Sequence, residues 1–513
     1  MLYHTNDKYV IVAISKTNGL DGLYVFVDLQ ESLIKYNYKE GVVMDNSNVV
    51  DMTKGNVTKL LLQFTIPLLV GNLVQQFYNI VDSIIVGKYV GSEALGAVGA
   101  VGNVMFIFFA LCMGLSAGVG ILVAQYFGAD DYEKVKKTII NCVYVVGSAG
   151  ILMSVLSVAF APAILEWMNT PVENYQYALD YMRITGAATI VVAAYNAISA
   201  ILRALGDSKT PLIFLAIASV LNIVLDFAFV LGFGMGVEGA ALATAISQCV
   251  SAVGSVLVAV WKNPFFRFER SHFRADKTLI RDIYGLGLPM AGQNVMISLS
   301  CVLLQSVVNG YGAVVMAAYT ATSRVEQLVH QPFNSLGMAA STFAGQNMGA
   351  GLHERVKEGN RKAMKVMVAF SAIMMGVMMV LGEFIVGFFV EEQEIIAMGA
   401  TGLRITSVMY VALGVIYVMR GTLNGLGDAK YALVNGVCEV VGRIVFAAIL
   451  TSIPFVGFWS VWLTNGFTWI LAGAAGYIRF KQGKWKNRSI VDKESMNSNE
   501  KLSRVEKELR SAC

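Results

Sequence analysis

Four oxygen-bearing side chains stand in otherwise apolar stretches of this 513-residue sequence. They are Asp82 in Val81-Asp82-Ser83, Asn222 and Asp226 in Asn222-Ile-Val-Leu-Asp226, and Thr244 at the end of Gly239-Ala-Ala-Leu-Ala-Thr244. Asn222 and Asp226 are one helical turn apart and share a face. Two carboxylates in a dry site repel one another, so such a pair could load and release a proton. The same oxygens would suit sodium, a hard cation that prefers such ligands. The competing structural readings are that Asp82 caps a helix end and that Asp226 satisfies local hydroxyls.

Other chemistries find no foothold. There is no Gly-x-x-x-x-Gly-Lys-Ser/Thr loop, so ATP hydrolysis by that device is excluded. His4, His272, His330 and His353 are scattered, and no Asp-rich prenyl-diphosphate motif occurs. An enzyme is not expected, nor a catalytic residue or cofactor. Cys112, Cys142, Cys249, Cys301 and Cys438 lie in apolar segments and Cys513 is the last residue, which gives neither a disulfide framework nor zinc spacing. No structural metal is expected. The net charge of +4 is small and dispersed, which argues against a nucleic-acid partner.

The elements that must carry these residues follow from composition. Hydrophobic residues make up 56% of the chain and charged residues 14%, against about 25% charged in soluble proteins. Windows 60–81, 94–129, 138–165, 239–261, 283–323 and 444–478 contain no Asp, Glu, Lys or Arg, and a bilayer span needs about 20 apolar residues. The lipid bilayer is therefore a partner. Breaks at 87–92, 309–313 and 452–457 divide windows too long for one helix. The expected fold is all-α, with twelve spans near 60–86, 94–127, 138–160, 175–202, 211–231, 237–261, 283–308, 314–348, 362–388, 397–424, 431–451 and 457–480.

Lys and Arg gather in the connections after even-numbered spans, from Lys134, Lys136 and Lys137 through Arg203, Lys209, Arg267, Arg270, Arg274, Arg355 and Arg361 to Arg420 and Lys430. The connections after odd spans hold Lys88 alone. This predicts cytoplasmic termini. Residues 1–51 lack a signal-peptide pattern. A familiar start is Met52-Thr-Lys-Gly, so 1–51 read as a dispensable N-terminal extension. Residues 481–513 read as a polar, loosely ordered cytoplasmic tail.

The chain also repeats itself. Pro67 and Asn72 recur as Pro289 and Asn294, Gln125 and Gly128 as Gln346 and Gly349, Leu205-Gly206-Asp207 as Leu426-Gly427-Asp428, and Gly236 as Gly457, at a near-constant spacing. The chain divides into an N-lobe (52–262), a basic amphipathic linker (263–282) and a C-lobe (283–480). The result is two pseudo-symmetric six-helix bundles. With six spans each, the lobes enter the membrane alike, as in transporters that rock two bundles about a central site. Asp82 and Asp226 have only Leu304 and Ala447 as counterparts, so the acid site belongs to one lobe.

Asn72, Gln76, Asn79 and Ser83 share one face of span 1, and Asn294, Ser298, Cys301 and Gln305 one face of span 7. These stripes suggest the walls of a hydrated central cavity, with helix-to-helix hydrogen bonding as the alternative. Among other intramembrane charges, Glu326 could serve as a counter-charge for a cationic ligand in that cavity. Glu439 and Arg443 suit an intrahelical ion pair. Arg203, Asp207, Lys209 and Asp428 read as loop caps.

Ile66-Pro67, Val81-Asp82-Ser83, Gly87, Leu95-Gly96-Ala97, Leu202-Arg-Ala-Leu-Gly-Asp207, Asn222-Ile-Val-Leu-Asp226, Gly239-Ala-Ala-Leu-Ala-Thr244 and Ala344-Gly345-Gln346-Asn347 together resemble multidrug and toxic compound extrusion (MATE) transporters. The resemblance runs from about Met52 to Phe480 and is nearest the bacterial DNA-damage-inducible-F-like branch. It implies secondary active efflux of amphipathic organic cations and drugs from the cell by antiport against protons or sodium, by a bacterial plasma-membrane protein expected to be a monomer. In that branch the coupling-ion site falls residue by residue on Asp82, Asn222, Asp226 and Thr244. The sodium-coupled branch carries a Glu in span 7 and an Asp in span 10, which this sequence lacks. The alternatives are a lipid-linked precursor flippase of related architecture and a non-transporting membrane receptor or scaffold.

Overall fold

The computed structural model describes residues 2–5, 8–17, 20–27 and 49–491. The first three groups are strands β1 (Leu2–Thr5), β2 (Lys8–Thr17) and β3 (Leu20–Val27), paired as an antiparallel meander in which Thr17 faces Leu20. They are the only strands among the described residues, in a segment the sequence left without assigned structure.

Among the described residues the remaining regular structure is helical. In the first bundle α1 is Val57–Ile85, α2 Ser92–Gly128 and α3 Tyr132–Ala159. Helix α4 comes in two halves, Val172–Ala187 and Thr189–Ala204, followed by α5 (Lys209–Asp226) and α6 (Gly236–Lys262). In the second, α7 is Lys277–Asn309, α8 Ala313–Gly349 and α9 His353–Val386. Helix α10 has the halves Gln393–Ser407 and Tyr410–Gly425, followed by α11 (Ala429–Thr451) and α12 (Ser460–Lys481). The two-bundle, twelve-helix expectation is met. Eight of these helices are long and apolar enough to cross a membrane, ten when each bent pair counts as one. The other two, α8 and α12, bury polar side chains such as Glu326, Asn465 and Thr468. Lipid would meet the apolar ridges left exposed, among them Val253 and Leu257 on α6 and Val437 and Val441 on α11.

Side chains close the helix starts: Asn56 accepts from Lys59 N, Asp131 from Lys134 N, and Asp276 from Thr278 N and Leu279 N. Asp207 accepts from Lys209 N and Thr210 N, at 3.0 and 2.9 Å, just ahead of α5. Asp428, in the matching loop, holds Arg479 at 2.7 Å.

Spans 4 and 10 are not continuous as the spacing predicts; they bend by 44° and 54°. At the first bend Ser154 of α3 inserts into the backbone ladder, donating to Ala187 O at 3.3 Å and accepting from Ile190 N at 3.0 Å. A neighbour that satisfies the freed backbone groups makes a break tolerable in a membrane. Ser154→Ala should leave those groups short of a partner and cost about 1–3 kcal/mol. The check is thermal unfolding in detergent beside Ser148→Ala, whose hydroxyl bonds only its own helix through Val145 O; equal midpoints would refute the account.

The lobes meet crosswise, each lobe's first helix packing on the other's second, α1 on α8 and α7 on α2. The linker holds to the first bundle: Phe265 packs against Phe127 and Tyr132, His272 Nε2 lies 2.9 Å from Glu133 Oε2, and Asn141 accepts from Asp276 N. Both terminal segments dock as well. Met52 is fully buried, and Trp485 stacks on Phe480 with Val491 buried beyond it. Within the expected tail Lys484–Asn487 forms a short 3-10 turn, with Trp485 and Val491 as apolar anchors. Residues 492–513 lie outside the described residues.

Candidate functional site

Between the lobes lies a cavity of about 1190 Å³, walled by α1, α2, α4, α5 and α6 on one side and by α7, α8 and α10 on the other. Its wall includes Asn72, Gln76, Asn79 and Asn294 of the expected stripes. Ser298, Gln305 and Glu326 are not on it. Gln305 donates to Asn309 on its own helix at 2.9 Å, and Glu326 is buried inside the second bundle. Helical spacing determines which residues of α7 share a stripe; which way that stripe faces depends on how α7 leans against α2 and α11. The wall also carries aromatic and thioether surface, including Phe106, Phe109, Tyr417 and Met338.

Two conclusions about arginine change. Arg203 is no loop cap, and Arg420 is not in a connection: Arg203 ends the second half of α4, Arg420 lies within the second half of α10, and both line the cavity. Arg324 is exposed on the same wall. Glu439 does approach Arg443, at 3.7 Å, but its closer partner is Arg420, whose Nε also donates to Asn435 Oδ1 at 2.9 Å. Gln293 donates to the same Asn435 oxygen at 2.7 Å. Arg443 is held in turn by Ser300. This network across α7, α10 and α11 explains a buried charge set that the sequence could only pair within one helix.

The oxygen cluster of the first bundle sits beside the cavity. Asp82 lies within electrostatic reach of Asp226. Asn222 donates to Thr244 Oγ1 at 3.3 Å. Asp82 Oδ1, Asn222 Oδ1 and both carboxylate oxygens of Asp226 are buried without a hydrogen-bond partner. Buried oxygens normally find partners; four left open on neighbouring helices suit a proton or a cation. Each carboxylate adjoins a switch from α- to π-helix, Val86–Val90 after Asp82 and Phe227–Gly232 directly after Asp226. Such local unwinding concentrates at functional sites. Thr244 belongs to the cluster and also to the cavity wall, and Tyr181, on the same wall, lies within electrostatic reach of both carboxylates. Tyr181 escaped the sequence reading because a tyrosine in a tyrosine-rich helix carries no distinguishing spacing.

One end of the cavity is shut. Gln125 donates to Gly425 O of the other lobe at 3.1 Å, and its counterpart Gln346 donates to Ala204 O at 2.8 Å. The terminal segments complete each lock: Ile490 N donates to Gln125 Oε1 and Met52 N to Gln346 Oε1, at 3.1 and 2.8 Å. Gly128 and Gly349 allow the approach, since a Cβ on either would fall 1.9 or 1.8 Å from the opposing glutamine's carbonyl oxygen. The repeat marked these four residues, but not what they do together. On the cavity side of this seal, Asn72 Nδ2 donates to Ser335 Oγ across the lobes at 3.0 Å.

The MatE family model matches this chain over residues 67–228 and 289–449, one block in each bundle. From Bacillus subtilis (strain 168), "Probable multidrug resistance protein YpnP" is 29% identical over 445 residues, 85% of this chain and 97% of that protein. A second protein of that strain, "Probable multidrug resistance protein YoeA", is 29% identical over 86% of this chain and 96% of its own length. Among solved structures, a multidrug resistance MATE family transporter of the MOP superfamily in an outward-facing conformation superposes with TM-score 0.80 at 24% identity, covering 86% of this chain and all of that one.

Proposed function

The chain belongs to the MatE family of multidrug efflux transporters, and from that premise we propose a monomeric bacterial antiporter that exports amphipathic organic cations and drugs across the cell membrane in exchange for protons or sodium. It is a multi-pass transporter and not an enzyme. In the proposed orientation both termini are cytoplasmic, so the shut end of the cavity faces the cytoplasm and the two lobes part toward the outside.

The observation that carries the coupling site is the set of open oxygens on Asp82, Asn222 and Asp226 beside Thr244. An incoming proton or sodium ion fills the vacant acceptor positions and offsets the repulsion between the carboxylates. Because Thr244 and Tyr181 stand on the cavity wall, repacking around the ion is felt where the drug sits. Helix α1 links the parts: it carries Asp82 at one end and Pro67 inside, and a proline removes one backbone bond and eases a bend. Aromatic faces on the wall attract cations.

In vesicles with pH and sodium gradients imposed independently, one gradient should drive ethidium transport, and Asp82→Asn should abolish the response. Transport indifferent to both gradients would remove ion coupling, while a response retained in Asp82→Asn would remove Asp82 from the site.

A further inference from the structure

The linker between the lobes carries a surface that neither efflux nor ion coupling uses. Lys262, Arg267, Arg270, Arg274, Lys277 and Arg281 are exposed along it and at the adjoining helix ends. Of these six, among the described residues, only Arg281 has an ion-pair partner, its neighbour Asp282 at 3.7 Å. Two large apolar side chains stand out among the charges, Trp261 at 76% exposure and Phe273 at 54%. A mixture of exposed aromatic and basic side chains suits the edge of a bilayer.

The segment is held against the first bundle by hydrogen bonds as well as packing. His272 is fully buried, its Nδ1 accepting from Glu269 N at 2.8 Å and its Nε2 lying 2.9 Å from Glu133 of α3. Farther along α3, Asn141 accepts from Asp276 N at 2.9 Å and Tyr144 donates to Phe273 O at 2.7 Å. From Glu133 to Tyr144 is about 16 Å of helix at a rise of about 1.5 Å per residue, so the linker follows the side of α3. At Tyr144 the chemistry changes. Tyr144, Ile151 and Val155 have the spacing of one helical face and are all exposed. A fixed cationic edge thus meets the near end of an apolar ridge, which is the polarity of a phospholipid.

Going beyond the efflux reading, we propose that this edge is a docking site for anionic phospholipids. Arg267, Arg270, Arg274 and Lys277 hold headgroup phosphates, while acyl chains lie on Tyr144, Ile151 and Val155. Guanidinium groups pair well with phosphate, and each basic residue near an anionic membrane surface adds about fivefold to the attraction. Because the linker joins α6 to α7, lipid seated there keeps it on the first bundle while the second bundle moves.

The test is native mass spectrometry of the purified full chain, released from detergent micelles that hold equal amounts of phosphatidylglycerol and phosphatidylcholine. The anionic lipid should be retained about tenfold over the neutral one. Arg267→Gln, Arg270→Gln and Arg274→Gln together should bring the two within about twofold, while Lys at all three positions, which keeps the charge, should preserve most of the preference. These side chains are exposed and make no ion pair among the described residues, so folding should survive their replacement. The control is Arg361→Gln, Lys362→Gln and Lys365→Gln on α9 of the second bundle, which should leave the preference unchanged. Inorganic phosphate in excess should not displace the lipid. Equal retention of the two lipids by the unmodified protein, an equal loss of preference in the control, or displacement by inorganic phosphate would each overturn the proposal. None of these outcomes touches the efflux reading.

Discussion

Asp226→Asn is expected to reduce drug efflux to the level of cells lacking the protein, with expression and folding unchanged. The amide keeps the shape of the carboxylate but cannot accept a proton or offer a charged ligand to sodium. Asp226 is fully buried, both its oxygens lack a partner, and Asp82 is the neighbouring charge, so the substitution acts on the coupling ion rather than on helix packing. One extra inward charge per cycle, moved through 100 mV, contributes about 2.3 kcal/mol, which sustains a gradient near fiftyfold. Uncoupling should therefore remove about that factor. A susceptibility panel on cells expressing each form provides the measurement, and full protection by the variant would sink the coupling role. Because Asp226 lies off the cavity wall, drug binding to the purified variant should persist, which separates lost coupling from lost recognition.

Gly349→Ala should be nearly as damaging, at a residue that touches neither ion nor drug. The added Cβ would fall 1.8 Å from Gln125 O, where ordinary contact begins at 3.4 Å, so the ends of α2 and α8 would have to separate by about 1.6 Å. Overpacking of this kind costs about 1–3 kcal/mol, roughly a fivefold to hundredfold loss of the sealed arrangement. The glutamine locks would also lengthen beyond hydrogen-bond range. Efflux should fall by a similar factor while each bundle stays folded, since the clash lies between lobes. Gly376→Ala is the control, because nothing stands within 4 Å of its added Cβ. If Gly349→Ala transports as well as this control, the seal is not part of the cycle.

Much of this was legible in the chain. Charge-free windows mark helices, the repeat of Gln125 with Gln346 and Gly128 with Gly349 marks equivalent ends, and the isolation of Asp82 and Asp226 marks them as candidates. These are one-dimensional signals, since hydropathy and spacing depend on neighbours along one helix. Arg420 illustrates what they miss. It lies only five residues before Gly425, the last residue of α10, and helix ends read from sequence are uncertain by about that much. Its charge grouped it with the basic residues of the following connection although the span at 397–424 already enclosed it, and its side chain reaches back to Glu439 on α11. The stripe from Asn294 to Gln305 fails for a related reason: periodicity fixes a face of α7 and says nothing about its heading.

By itself, then, the sequence determined a twelve-helix, duplicated membrane architecture and the oxygen-rich residues of one lobe, because lipid forces backbone bonds to close within each helix and makes every interior charge conspicuous. The tertiary structure decided which side chains share space. It brought Asn222 to Thr244, set Glu326 back from the cavity, turned Arg203 and Arg324 into it, and locked the two lobes through Gln125 and Gln346. Those pairings join residues up to hundreds of positions apart, and contacts of that range depend on how helices bend, lean and cross, which no local pattern of residue types records.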